Sequence, residues 1–170
     1  MALIKSCRGF APSVGKECWF AENATIIGDV EMGDQCSIWF SAVVRGDVNS
    51  IKLGNKVNVQ DGAIIHCTFE KTKTIIGNNV SIGHNAIVHG CIINDNVLIG
   101  MGAIVMDNCQ IGSEAIIAAG AVLLEGTVVE PGYLYAGVPA KKIKKVSQGL
   151  KDGEIKRIAE NYTKYAQWFK

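Results

Sequence analysis

Proline, net charge and long apolar runs are all scarce in this sequence. Three of its 170 residues are proline and nineteen are glycine, so we expect chain reversals to depend on glycine. Lysine and arginine number 17 against 16 aspartates and glutamates, which gives no electrostatic case for nucleic acid or an anionic membrane as a partner. No apolar run approaches the about 20 residues of a membrane-spanning helix, and the first ten residues lack the apolar core of a secretory signal.

Cysteine pairs with metal-binding or redox spacing are also missing. None of the six cysteines lies in a Cys-x-x-Cys pair, and four fall among the apolar repeats described below. The six are Cys7, Cys18, Cys36, Cys67, Cys91 and Cys109. This distribution is typical of reduced core residues in a cytoplasmic protein, which is the localisation we predict, with one redox-active thiol as the alternative.

What the sequence does have is an aliphatic residue at every sixth position. From Ile76 to Val129 every step is six residues except the step of five between Val88 and Ile93, and glycine follows several of these residues. The same spacing begins upstream at Ile27. An α-helix does not explain this pattern, because a period of six drifts around a helix of 3.6 residues per turn and the glycines would destabilise it.

The period predicts an all-β fold, a left-handed parallel β-helix of hexapeptide repeats. Each repeat would form one short strand and a corner, and three repeats would close one triangular coil. Successive coils would stack about 4.8 Å apart with the aliphatic residues pointing inward. We expect about six coils, in a β-helix domain that covers residues 1–146.

Two breaks in the period predict irregular structure. The step of eleven residues between Ile65 and Ile76 predicts a loop over residues 67–74. The step of nine residues between Val44 and Leu53 predicts one irregular edge. Both breaks fall near the histidines, so they bear on the shape of any site there.

Residues 147–170 follow helical rather than six-residue spacing. The apolar positions of this segment are Ile155, Ile158, Tyr162, Tyr165 and Phe169. This spacing predicts an amphipathic helix packed along the β-helix, and Asp152 is its candidate N-cap. We therefore treat this segment as a second unit of the chain.

Two of the three histidines occupy equivalent positions on successive coils. His66 follows the inward Ile65, and His89 follows the inward Val88 one coil later. Imidazoles stacked about 4.8 Å apart can reach one metal ion through bonds of about 2.0–2.1 Å. The pattern therefore predicts a metal site.

The third histidine, His84, lies on the preceding face of the coil. It is too far from His89 along a straight edge to share one metal ion with it. The third ligand must then come from another molecule. If His84 of one subunit meets the His66 and His89 face of the next, head-to-tail closure predicts a homotrimer with three equivalent sites.

Three polar residues can be placed by the same count of repeats. Arg45 is expected one coil below His66 on the same face, and Gln60 and Asp61 fall on the face of His84. Arg45 of one subunit would then face Asp61 or a neighbouring group of the next. We expect Arg45 to be buried against a neighbour's carboxylate there.

Several motifs resemble the γ-class carbonic anhydrases in order and spacing. They are Arg45-Gly46-Asp47, Gln60-Asp61-Gly62, His66, Ile82-Gly83-His84-Asn85-Ala86 and Val88-His89-Gly90-Cys91. Two later motifs resemble the family's bacterial carbonic-anhydrase-like branch. These are Gly100-Met101-Gly102-Ala103 and Gly137-Val138-Pro139-Ala140-Lys141. The resemblance extends over roughly residues 10–145.

The resemblance implies a trimer that binds zinc, with iron(II) or cobalt as alternatives, through His66 and His89 of one subunit and His84 of the next. It also implies that Arg45 and Asp47 hold subunits together. The matches to Gln60 and Asp61 would orient the metal-bound water and support its hydrogen-bond network. These four polar residues complete the predicted catalytic set.

Two positions depart from the family's founding archaeal enzyme. That enzyme has a glutamate directly after its Arg-Gly-Asp and an acidic loop implicated in proton transfer. Here the first position is Val48, and Glu70 is the only carboxylate of the short loop. We therefore expect slow proton export and weak activity.

The leading hypothesis is reversible hydration of CO2, because a metal ion with three histidines and one open position makes bound water nucleophilic. An acyl-CoA thioesterase or a hexapeptide acyltransferase is the second hypothesis, since many hexapeptide β-helices bind acyl-CoA. Acyltransferases typically use one histidine as a general base rather than three that converge. A non-catalytic, metal-binding trimer is the third.

Overall fold

A computed structural model describes residues 1–169 of the chain. It is a parallel β-solenoid of about seven turns followed by a C-terminal helical segment. The predicted fold class, an all-β left-handed β-helix with a C-terminal helix, is confirmed, with about one coil more than expected.

The strands form three faces. The first face contains β1 (Leu3–Lys5), the start of β4 (Thr25–Met32) and of β6 (Val43–Leu53), β8 (Ile64–His66), β11 (Ile87–His89), β14 (Ile104–Val105) and β17 (Val122–Leu123). The second face contains β2 (Ser13–Val14), the ends of β4 and β6, β9 (Thr74–Ile76), β12 (Ile92–Ile93), β15 (Gln110–Ile111) and β18 (Val128–Val129). The third face contains β3 (Trp19–Phe20), β5 (Ser37–Ile38), β7 (Asn58–Val59), β10 (Ser81–Ile82), β13 (Leu98–Ile99), β16 (Ile116–Ile117), β19 (Tyr133–Gly137) and β20 (Ala140–Lys145).

Strands of the same face pair in parallel from coil to coil, and the hairpin of β19 and β20 is antiparallel. Because β4 and β6 continue around a corner, the first and second faces form one 12-stranded sheet, while the third face is a separate 8-stranded sheet. The six-residue spacing did not predict this closing hairpin.

One residue of each hexad points inward and is buried. On β12, Ile93 is 1% exposed, whereas its neighbour Ile92 is 42% exposed. Fully buried members of the same set include Ile65, Ile82, Val88, Ile99, Ile111 and Ile117. This alternation explains the six-residue period, since burial of one aliphatic side chain per edge fills the prism.

The corners depend on asparagine as well as on glycine, whereas the composition predicted that chain reversals depend on glycine. Asn85, Asn96 and Asn108 have positive φ angles of 56°, 57° and 61°. Asparagine tolerates this left-handed conformation better than most side chains do. Glycine is required instead where coils approach closely, since a Cβ on Gly83 would lie 2.7 Å from the amide nitrogen of Met101.

Both predicted interruptions lie where expected. Between β4 and β6 the pairing jumps from Gly28 opposite Gly46 to Val30 opposite Ile51, so β6 carries extra residues at this corner. The loop after β8 covers residues 67–73, one residue fewer than predicted because Thr74 already belongs to β9.

The C-terminal segment is helical in four short parts: α1 (Gln148–Leu150), a π-helical turn (Lys151–Lys156), α2 (Arg157–Ala166) and a 3-10 turn (Gln167–Phe169). The predicted N-cap, Asp152, is wrong. Ser147 caps the helix by accepting a hydrogen bond from the Leu150 amide, and Asp152 lies inside the π-helical turn. The helix begins earlier because Ser147 has the extended backbone that an N-cap requires.

The α2 helix packs on the third face, against β5 and β7. Its contacts there are largely aromatic, and the Tyr162 ring lies edge-on to Trp39 at 5.0 Å. Within residues 1–169, no helix is both long enough and apolar enough to cross a membrane.

Candidate metal site

His66 and His89 lie side by side on the first face, at the corner that leads to the second. The pairing of β8 with β11 puts the two residues directly opposite each other. His66 Nδ1 lies 3.1 Å from His89 Nε2. The stacked pair that the repeat spacing predicted is therefore present.

Each of the three histidines has a carboxylate at one ring nitrogen. His66 Nε2 lies 2.9 Å from Asp47, His84 Nδ1 lies 2.8 Å from Asp61, and His89 Nδ1 lies 2.6 Å from Asp107. The chain has three histidines, so every one of them pairs with an aspartate. A carboxylate favours the proton on the ring nitrogen that it contacts. The lone pair is then on the opposite nitrogen, which is Nδ1 of His66 and Nε2 of His84 and His89.

The facing nitrogens of His66 and His89 suit one shared cation. With protons held by Asp47 and Asp107, two lone pairs point at each other across 3.1 Å. Such a contact is repulsive unless a proton or a metal ion lies between the rings. Two imidazole nitrogens bound tetrahedrally to one zinc ion lie about 3.3 Å apart, close to the separation found here. The donor set therefore fits a metal ion.

His84 does not join the other two histidines within one chain. It lies at the corner between the third and first faces, where Asp61 contacts one ring nitrogen and the Tyr162 hydroxyl lies 3.3 Å from the other. Among the described residues of a single chain, no three His, Cys, Asp or Glu side chains are close enough to bind one ion. A complete three-histidine site needs a second subunit.

Arg45 pairs with a carboxylate of its own chain. Its guanidinium contacts Asp47 two residues away, and in the single chain its side chain is 41% exposed. The predicted contact with Asp61 or a neighbouring group of another subunit, and the burial that goes with it, involve a second chain and stay predictions. The bulge in β6 explains this pairing, because it places Asp47 between Arg45 and His66.

Gln60 is buried within a short polar ladder on the third face. Its amide donates to Asn58 Oδ1 at 3.0 Å, and the Asn58 amide donates to Ser81 Oγ at 2.7 Å. This ladder holds the Gln60 side chain at one side of the cleft that also contains His84.

That cleft lies between α2 and the third face and has a volume of about 400 Å³. Its walls are mostly apolar, including Leu98, Met101 and Ile116, and Arg157 and Asn161 of α2 add polar groups. Small residues on the strands beneath α2 leave the space open. The cleft connects His84 with a volume large enough for a small organic group.

The protonation states agree with the pairing. Burial works against ionisation of Asp107, but hydrogen bonds from Thr68, His89 and Thr72 hold the pKa of Asp107 below its usual value. Burial, with the charge of Asp61 nearby, raises the pKa of Tyr162 to about 12. Tyr162 therefore stays protonated and donates to His84, while Asp107 stays ionised and accepts from His89.

Comparison with known proteins places the chain in a family. The family model "Bacterial transferase hexapeptide (six repeats)" matches residues 90–125. The carbonic anhydrase of Geobacillus kaustophilus is 37% identical over 168 residues, which cover 99% of this chain and 91% of that protein. The chain belongs to the γ-class carbonic anhydrase-like family. The predicted family is thereby confirmed, and the predicted enzyme class, a γ-class carbonic anhydrase-like lyase, is the one in which several of its relatives are named.

Two further relatives of this γ-class chain extend the comparison. Gamma carbonic anhydrase 1, mitochondrial, of Arabidopsis thaliana is 39% identical over 161 residues, which are 92% of this chain but 57% of that protein. The chain thus spans little more than half of the plant relative. A hexapeptide transferase family protein from Anaplasma phagocytophilum has the same fold with a TM-score of 0.93 and 37% identity, over 99% of this chain and 98% of that one.

The family motifs of the γ-class chain did not point to Asp107 or Tyr162. Asp107 accepts hydrogen bonds from Thr68 and Thr72, so one carboxylate joins His89 to the loop after β8. Its position two residues after the inward Val105, one coil above His89, was the available signal. Tyr162 could have been found only by placing α2 over the face that carries His84.

Proposed function

We propose that three copies of this chain form a homotrimeric, metal-dependent carbonic anhydrase-like enzyme that hydrates CO2 reversibly at sites shared between subunits. The observation that carries the proposal is the pattern at the histidines. All three have a carboxylate at one ring nitrogen and a lone pair at the other, which is how metal-binding histidines are oriented. Zinc is the proposed metal, with iron(II) or cobalt as alternatives.

In this proposal His66 and His89 of one subunit and His84 of the next hold the metal ion. When bound, the ion would lower the pKa of a water ligand to about 7 and so supply a nucleophile at neutral pH. Asp47, Asp61 and Asp107 keep the three imidazoles in the binding tautomer. Arg45, through its pair with Asp47, holds that carboxylate in place.

Gln60, Asp61 and Tyr162 are the proposed positioning residues around the substrate. Gln60 is fixed by Asn58 on one side of the cleft, so its amide can orient the attacking water without losing side-chain freedom in the reaction. Asp61 orients His84 directly. The Tyr162 hydroxyl lies 3.3 Å from His84 Nε2, the nitrogen that would bind the metal, so metal binding would release this hydroxyl to donate to an oxygen of CO2 or bicarbonate.

Proton export is the weak point of this arrangement. Val48 is half-buried and packs against the core, so no carboxylate follows Asp47 at the bulge of β6. Glu70, in the loop after β8, is exposed. We therefore propose that buffer carries the proton away and that turnover is slow without it.

Stopped-flow measurements of CO2 hydration on metal-loaded protein test the proposal. The rate should rise with pH around 7, because the metal ion would lower the pKa of its water ligand to about that value. The rate should also rise with buffer concentration. Val48→Glu should reduce the buffer dependence, while the matched Val48→Gln, which lacks the carboxylate, should not. A fully metallated protein that never exceeds the uncatalysed rate would exclude the anhydrase function.

Acyl-CoA chemistry is the second candidate, and the apolar cleft beside His84 is the observation that favours it. An acyl group of modest length fits a volume of about 400 Å³. The same metal-loaded protein should therefore be assayed for acyl-CoA hydrolysis and for acyl transfer. Activity there, with none on CO2, supports a thioesterase or an acyltransferase, and metal binding with neither activity supports a non-catalytic trimer.

A further inference from the structure

Cys18 and Cys36 lie opposite each other on the first two coils of the third face. Cys18 directly precedes β3 and Cys36 directly precedes β5, and the two strands pair with Trp19 opposite Ser37. The Trp19 amide donates to the Cys36 carbonyl at 2.9 Å, so the pairing extends to the cysteines. Neighbouring strands are about 4.8 Å apart, which is within the Cα separation of about 4.4–6.8 Å that a disulfide spans.

This pair lies on other coils and at another corner than the candidate metal site. The cysteines occupy the corner between the second and third faces on the first two coils, whereas His66 and His89 lie on later coils at the corner between the first and second faces. A trimer contact through the first face would leave the cysteine corner on the outside. Cys18 is partly exposed there, whereas Cys36 is buried beneath it, and both are free thiols.

The surroundings of the two sulfurs differ in a way that favours reaction at Cys18. The neighbouring Cys36 thiol and the backbone amides of Cys36 and Gln35 outweigh burial and lower the pKa of Cys18 to about 7, although the protonated Cys18 thiol can also donate to the Gly33 carbonyl oxygen at 3.2 Å. Its neighbour Cys18, followed by burial, raises the pKa of Cys36. An accessible thiolate beside a protonated thiol is the usual arrangement of an attacking and a resolving cysteine.

A second pair with the same spacing provides an internal comparison. Cys91 and Cys109 directly precede β12 and β15, which pair with Ile92 opposite Gln110. Both of these cysteines are buried, and burial raises the pKa of each. Proximity is therefore the same in the two pairs, and accessibility and thiolate character distinguish them.

We propose that Cys18 and Cys36 are a peroxide-oxidisable pair that closes a reversible disulfide between the first two coils. The Cys18 thiolate attacks one oxygen of a hydroperoxide, the O–O bond breaks, and hydroxide or alkoxide leaves, so Cys18 becomes a sulfenic acid. The Cys36 sulfur then attacks the Cys18 sulfur, the S–O bond breaks, and water leaves with the Cys36 proton. Two thiols are oxidised and the peroxide is reduced, without any contribution from the candidate metal site.

Peptide mapping of the folded full-length chain after mild treatment with hydrogen peroxide tests the proposal. The expected product has two fewer free thiols per chain and one new linked peptide pair, Cys18 with Cys36. Dithiothreitol should restore both thiols, because disulfides that are partly exposed or strained reduce readily. Cys91 and Cys109 should remain reduced in the same sample.

Two variants separate the roles of the sulfurs. Cys36→Ala should leave a sulfenic acid at Cys18 that dimedone labels, and Cys18→Ser should lose both the label and the disulfide. Cys109→Ala, the matched control from the buried pair, should behave like the unchanged chain. Thermal unfolding of each reduced variant checks that the fold is retained. If a variant misfolds, peptide mapping of the unchanged chain still tests the proposal. An unmodified Cys18, or a disulfide between other cysteines, would overturn the proposal.

Discussion

Asp107 is the residue through which the loop after β8 and the candidate metal site depend on each other. Its carboxylate accepts from His89 Nδ1 at 2.6 Å and from Thr68 Oγ1 at 2.5 Å. Thr72 adds a longer contact of 3.3 Å. A carboxylate shared in this way fixes the His89 ring more firmly than either contact alone, since each partner limits the rotation of the other.

We predict that Asp107→Asn weakens metal binding about 10–100-fold, the usual cost of altering a hydrogen-bond partner of a metal-binding histidine. The neutral amide no longer favours one tautomer of His89 as strongly. Competition with a chelator of known affinity measures the change. The matched control is Glu160→Gln, which makes the same change of charge on the exposed face of α2.

An unchanged affinity in Asp107→Asn would contradict this role for Asp107. A drop of equal size in Glu160→Gln would also contradict it, because the effect would then follow net charge. Thermal unfolding of the metal-free variants distinguishes a loss of ligand orientation from a loss of fold. We expect both metal-free variants to stay folded, with Asp107→Asn unfolding at the lower temperature because an amide accepts fewer of the hydrogen bonds from Thr68, Thr72 and His89.

The residues that the sequence predicted at this site are those whose place depends only on the repeat. His66 and His89 follow inward residues one coil apart, so counting hexads put them side by side. Asp107 contacts His89 from a corner position, and that contact also depends on the path of the loop through Thr68. A loop outside the repeat has no such periodic rule, so sequence alone did not predict its contacts.

At the scale of the strand, the hexad separates two adjacent residues of the same type. Ile92 and Ile93 are consecutive on β12, yet one is largely solvent-exposed and the other is part of the core. Removing methyl groups from the buried side chain loses transfer free energy and leaves a cavity. Removing them from the exposed one loses little of either.

We predict that Ile93→Ala lowers the free energy of unfolding by about 2–5 kcal/mol and Ile92→Ala by less than about 1 kcal/mol. Chemical denaturation at one fixed protein concentration measures both, because the stability of an oligomer depends on concentration. Equal losses in the two variants would mean that the inward direction of the hexad is wrong on this strand.

The helix shows where sequence prediction at the scale of an element fails. Helical spacing correctly predicted a helix over Ile155, Tyr162 and their neighbours, because burial of one face determines that spacing. Its start was predicted five residues late, since Asp152 and Ser147 are both acceptable N-caps and only the backbone at Ser147 is extended.

At the scale of the whole molecule, the near-neutral charge and the three faces suit self-association. The third face is covered by α2, which packs against β5 and β7, while none of the main helix contacts within residues 1–169 is made with the first face, which carries His66 and His89. The trimer and the predicted cytoplasmic location both remain predictions. One corner of a chain carries two of the three ligands, His66 and His89, and another corner carries His84, so a complete site needs a second subunit. Arg45, which pairs with its own Asp47, does not require a neighbour for its charge.

The decisive prediction for the assembly concerns trimers mixed from two inactive variants. His84→Ala subunits keep His66 and His89, and His66→Ala subunits keep His84, so a complete site forms where the first variant precedes the second around the ring. Random mixing in equal amounts should restore about a quarter of the sites of a cyclic trimer. Bound metal per chain, after verified subunit exchange, should therefore exceed that of either variant alone.

The matched control mixes His66→Ala with His89→Ala, two variants that can never supply both residues from one chain, and it should recover no metal. Recovery in the control, or none in the first mixture, would show that the ligands are not divided between subunits as proposed.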